Sequence, residues 1–125
     1  MSYVDDTVRQ FGKMMGFSGL SLGEDGRMAL AFERRGTLLV EKAGGEVLVS
    51  LSREVPAHRP GVLEKAMALC HYASGLPLMV NPALDKNRRL FFACRMPERE
   101  FSVPALERAL EVLTHLQDQA AEGTP

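Results

Sequence analysis

The chain has 125 residues, with 15 Lys and Arg against 16 Asp and Glu, a formal net charge of -1 and no tryptophan. That length suits one domain able to hide about two-thirds of the surface its unfolded chain exposes. The balanced charge excludes the basic footprint of a nucleic-acid binder, and no apolar run reaches the roughly 18 residues that a membrane span requires. Cys70 and Cys94 stand far apart with no CxxC spacing, which gives neither a disulfide framework nor a zinc site and points to a reducing compartment, the cytosol. The opening MSYVDDTVRQF carries two acids and no long apolar run, so a secretory signal peptide is not expected.

Val4, Val8, Phe11 and Met15 recur at i, i+4, i+7 and i+11, one apolar stripe that predicts a helix. Asp5 and Asp6 sit where the positive end of its dipole favours them, and Gly16 is placed to end it. FSGLSL and MALAF flank the turn chemistry of GEDGR and predict a hairpin, with Met28, Leu30 and Phe32 on one face. TLLVEK and EVLVSLSRE follow after ERRG and AGG, extending an antiparallel meander of three or four strands. VPAHRPG holds two prolines and reads as a loop.

VLEKAMALCHYAS predicts a second helix whose apolar face comprises Val62, Leu63, Ala66, Met67 and Cys70, ending at Gly75. LPLMVNPAL and RRLFFACRM flank DKN as a second hairpin. In the latter strand Leu90, Phe92 and Cys94 oppose Phe91 and Ala93, so both faces are expected to be covered. SVPALERALEVLTHLQDQAAEG closes the domain as a helix with Ser102 as cap, Pro104 in the first turn and a stripe of Leu106, Ala109, Leu110, Leu113 and Leu116. The order α-β-β-β-α-β-β-α implies an α+β fold, a twisted antiparallel sheet with helices packed against it. Residues 1–121 form a single domain and 122–125 a frayed tail.

Groups for chemistry do not converge. His58, His71 and His115 fall in a loop and two helices without metal-ligand spacing. Cys70 and His71 are helix neighbours, about 100° apart, and do not face each other; Cys70 reads as a small core residue. SREVPAH lacks the strand-turn-helix elbow of a serine nucleophile, and FGKMMG has Thr7 where a phosphate loop needs glycine. GEDGR lacks the ligand alternation of a calcium loop. Arg34-Arg35 and Arg88-Arg89 read as solvated turn residues. No catalytic group, metal site or cofactor is expected.

The helix VDDTVRQFGKMMGF running into LSLGEDGRMALAF, followed through NPALDKNRRLFFACRM to the last helix, resembles the class I type III secretion chaperones, the Tir-chaperone (CesT-like) family, in which a first helix leads into an sLxLdedG pattern and a strand. The resemblance covers nearly the whole chain. It implies a non-enzymatic cytoplasmic homodimer that keeps the N-terminal segment of a secreted effector, or a secretion regulator, extended and export-competent. Such proteins dimerise through the second helix and a neighbouring strand, and bind effector through apolar patches of the first helix and the sheet.

An extended segment laid along a sheet edge gains main-chain hydrogen bonds, with alternate side chains entering apolar pockets. Methionines suit such pockets because unbranched thioethers repack around different side chains. The expected partner-binding residues are Phe11, Met14, Met15, Phe17, Leu20, Leu30 and Phe32. Met14 and Phe17 stand off the helical stripe and read as partner-facing, whereas Phe11 and Met15 also fit a core role. The second helix is apolar on more than one side, which calls for a second subunit as cover. Met67, Leu69, Tyr72, Ala73 and Phe91 are the expected dimer interface. The alternative is a small-molecule-binding or enzymatic α+β domain, with a pocket between sheet and helices and Arg34, Arg35 or His71 as polar anchors.

Overall fold

A computed structural model describes residues 3–56, 59–71 and 78–122. In chain order the elements are α1 (Tyr3–Met14), β1 (Arg27–Phe32), β2 (Gly36–Ala43), β3 (Glu46–Glu54), α2 (Val62–Leu69), β4 (Asn81–Leu84), β5 (Arg89–Pro97), a short 3-10 turn Glu98–Glu100 and α3 (Val103–Ala121). The α-β-β-β-α-β-β-α order expected from the sequence is the one observed. The strands form one antiparallel sheet in the order β1-β2-β3-β5-β4.

Register divides the sheet into two unlike faces, because side chains alternate along each strand. Met28, Leu30, Leu38, Val40, Val47, Val49, Leu51, Leu90, Phe92 and Cys94 share one face and are buried. α3 packs on β3 and β5, while α1 and α2 pack beside α3, so the three helices cover this face. The opposite face carries Ala29, Ala31, Leu39, Leu48, Ser50, Phe91 and Ala93, and no described helix lies on it.

α3 matches its expectation closely. Ser102 Oγ accepts the Ala105 N–H at 3.1 Å, Pro104 lies in the first turn, and Leu106, Ala109, Leu110, Leu113 and Leu116 are all buried. The first predicted hairpin is corrected: FSGLSL is not a strand, and the first hairpin joins β1 to β2. β4 is shorter than LPLMVNPAL, beginning at Asn81. α2 ends at Leu69 with Cys70 as its cap; the expected stop at Gly75 lies outside the described residues. On α2 only Val62 and Ala66 are buried, and Met67, expected on the core face, points outward at 58% exposure.

The two ends of the sheet also differ. β4 is four residues long with Pro82 inside it, features that blunt an edge against further pairing. β1 is six residues long with no proline. The Lys42 N–H donates to the Gly26 carbonyl at 2.9 Å, and in this register Met28, Leu30 and Phe32 turn their peptide groups toward β2. Those of Ala29 and Ala31 therefore point away from the sheet.

Candidate functional site

The end of α1 explains why a phenylalanine is left in water. Gly16 takes φ 88°, the left-handed conformation that glycine adopts without strain. The Phe17 N–H donates to the Gly12 carbonyl at 2.7 Å and the Gly16 N–H to the Lys13 carbonyl at 3.2 Å, the paired bonds of a Schellman motif. In that motif the residue at Phe17 normally packs on the side chain at position 12. Here position 12 is glycine, and Leu20 fills the space instead: a Cβ added to Gly12 would lie 2.7 Å from Leu20 Cβ. Phe17 is left 40% exposed, beside Met14 at 60% and Met15 at 37%.

The seven expected partner-binding residues divide accordingly. Met14, Met15 and Phe17 form an uncovered apolar cluster, and Leu20 and Phe32 are half-buried against the core. Phe32 lies beneath the Arg35 guanidinium, 5.9 Å from its ring centroid. Phe11, at 1% exposure, and Leu30 are enclosed by the chain's own fold, so they support the surface from below. Residues 17–22 link this cluster to the turn that opens β1, and the free edge of β1 follows. Among the described residues the outward peptide groups of Ala29 and Ala31 find no main-chain partner, which leaves them for main-chain recognition, with flexible apolar side chains nearby in the chain for partner side chains.

A second uncovered region lies around β4. Met67 and Leu69 stand on α2, exposed and half-buried respectively, on the helix-covered side. Phe91 is half-buried on the open face, opposite Ser52 and Ala83. An interface using all three would wrap around the β4 edge. Tyr72 and Ala73 lie outside the described residues. The sequence reading missed Met79, which is 86% exposed and lines a groove of about 490 Å³ with Leu48, Asn81 and Arg95. Its signal was available: Val80 beside it is buried, and consecutive residues of an extended chain face opposite ways.

Conventional active-site chemistry is not assembled among the described residues. Among the described residues no group of three or more His, Cys, Asp or Glu is placed to hold a metal, and none of the described helices is long and apolar enough to cross a membrane. Burial pushes the Cys94 thiol up to about 11 and raises that of Cys70, which makes both poor nucleophiles at neutral pH. The space between α3, β3 and β5 lined by Gln117, Leu90 and Arg53 measures about 50 Å³, below the roughly 300 Å³ at which ligand pockets begin. A second space between β5 and α3, lined by Leu78, Met96 and Arg108, measures about 320 Å³. Arg34, Arg35 and His71, the three expected polar anchors, line neither.

No curated protein matches the sequence. The fold is similar to a chain of the ExsC-ExsE complex (TM-score 0.73, 15% identity, covering 94% of this chain and 88% of that one). It is also similar to a chain in the structure of the Yersinia pestis type III secretion chaperone SycH with a stable fragment of YscM2 (TM-score 0.67, 17% identity, 94% and 96% covered). A third likeness is to a chain of the heterodimeric ExoU-SpcU complex of Pseudomonas aeruginosa (TM-score 0.65, 22% identity, 93% of each chain covered). At such identities these likenesses establish the fold. The model of the family described as type III secretory system chaperone SycN matches residues 3–121, and the chain belongs to that family.

Proposed function

We propose that this chaperone acts as a class I chaperone of the Tir-chaperone kind, holding the N-terminal segment of a secreted effector or secretion regulator extended and ready for export. The observation that carries the reading is the free edge of β1, joined by residues 17–22 to the uncovered Met14, Met15 and Phe17. A client strand adding to that edge finds the outward peptide groups of Ala29 and Ala31. Its side chains toward the helices meet the apolar cluster, and those on the open face cross two alanines that leave room for bulk. Similar folds occur in the HopA1-SchA chaperone-effector complex and in SycH bound to a fragment of YscM2, which supports this class of client.

The protein works as a non-enzymatic cytoplasmic homodimer. Met67, Met79 and Phe91 are the side chains that a second copy covers, with Leu69 half-buried on the same helix as Met67; Tyr72 and Ala73, also expected there from the sequence, lie outside the described residues. Binding of an unfolded segment requires no cofactor.

The test is co-expression with the N-terminal segment of a candidate client, a larger secreted protein. Phe17→Asp places a charge in the cluster without touching the core. Loss of co-purification with the dimer retained supports the reading, and undiminished co-purification removes Phe17 from the site.

A further inference from the structure

Residues 17–22, Phe-Ser-Gly-Leu-Ser-Leu, have the alternation of a strand but form none. Their far end has nevertheless begun a hairpin with β1. The Gly23 N–H donates to the Arg27 carbonyl at 2.8 Å, and the Gly26 N–H closes the turn on the Gly23 carbonyl at 2.9 Å. Beyond that first rung, α1 draws the segment aside. Asp5 Oδ1 accepts the Leu22 N–H at 2.8 Å, and Leu20 lies against Gly12.

We propose that residues 17–22 are a strap with two seats: α1, as in this structure, and the free edge of β1, where the strap excludes the client. The inference rests on the reading that this edge receives the client. Extending the Gly23–Arg27 pair brings Ser21 opposite Ala29 and Gly19 opposite Ala31, which supplies partners for the outward peptide groups of both alanines. Leu20 and Leu22 then fall opposite Leu30 and Met28, on the helix-covered face, so the two leucines remain on the core side in either seat. Gly16 and Gly19 have φ of 88° and 76°, and a Cβ at either would meet nothing within 4 Å. Each can change backbone conformation without collision, as a hinge requires.

Two features bias the strap toward α1, and both can be removed. Gly12→Ala fills the space that Leu20 uses, in a substitution that favours the helix itself. Asp5→Ala frees the Leu22 N–H. The experiment is amide hydrogen exchange at Ala29 and Ala31 in the client-free protein. In Gly12→Ala both amides slow by about tenfold or more relative to wild type, because the strap now occupies the edge. Adding Ser21→Pro restores fast exchange: the residue-21 carbonyl that would accept the Ala29 N–H is kept, but the reciprocal N–H to the Ala29 carbonyl is lost, and the strap is unseated from the edge. Unchanged exchange in Gly12→Ala, or slowing that survives Ser21→Pro, overturns the proposal. Should Gly12→Ala fail to fold, Asp5→Ala supports or overturns it by the same criteria. No client is present, so the outcome is separate from whether a client uses the edge.

Discussion

Gln117 on α3 donates its side-chain amide to the main-chain carbonyl of Leu90 at 2.8 Å. The same nitrogen also donates to the Leu51 carbonyl, again at 2.8 Å. One buried group, 2% exposed, thus ties the last helix to the two strands at the centre of the sheet. Buried polar groups earn their place only when bonded, and stranding their partners costs about 1–3 kcal/mol. Gln117→Ala is therefore expected to destabilise the fold by about 2 kcal/mol in urea unfolding. Gln117→Glu is expected to cost more, because it turns a carboxylate toward two carbonyl oxygens.

Gly36 opens β2 at φ 117°, and a Cβ there would run into the main-chain carbonyl of Ser52 on β3. Gly36→Ala combines backbone strain with that collision and is expected to lower stability by roughly 2 kcal/mol or more. Gly44→Ala, where a Cβ meets nothing within 4 Å, carries the backbone strain alone. A smaller thermal shift for Gly44→Ala than for Gly36→Ala is the expected outcome.

Cys94 supplies a pH dependence. Burial raises its thiol from 9.0 to about 11, so the folded state favours the neutral form. That contribution to stability is complete below pH 9.0 and is lost as pH rises toward 11, because the unfolded chain ionises first. Wild type is expected to lose stability across this window more steeply than Cys94→Val, as read from urea midpoints. Equal slopes would show that Cys94 does not carry the effect.

Met67 and Met79 are expected to act at the dimer interface without holding up the monomer. Exposed positions of this kind change monomer stability by about 0.5 kcal/mol or less when substituted. Met67→Asp and Met79→Asp are expected to shift sedimentation toward monomer with the circular dichroism spectrum unchanged.

The long periodic elements were legible in the sequence because a single physical signal set each of them. The stripe from Leu106 to Leu116 buries as a unit, and Ser102 caps the helix through a local contact. FSGLSL was misread because strand alternation is necessary for a strand but not sufficient. Asp5, 17 residues before Leu22, and Gly12, on the preceding helix, hold the segment on α1. The stripe named from the sequence stops at Leu116 and leaves out Gln117, which stands four residues after Leu113 and extends the buried face. The exposure of Phe17 was anticipated from its place off the stripe, but its cause, a Schellman motif with glycine where the packing side chain belongs, required the structure.

The central claim, that a client strand completes the sheet at β1, is tested most directly by amide exchange at Ala29 and Ala31 in the wild-type complex with its client segment. Both amides are expected to become protected on binding while the β4 edge does not gain strand pairing. A client bound tightly with Ala29 and Ala31 exchanging as they do in the free protein would contradict it.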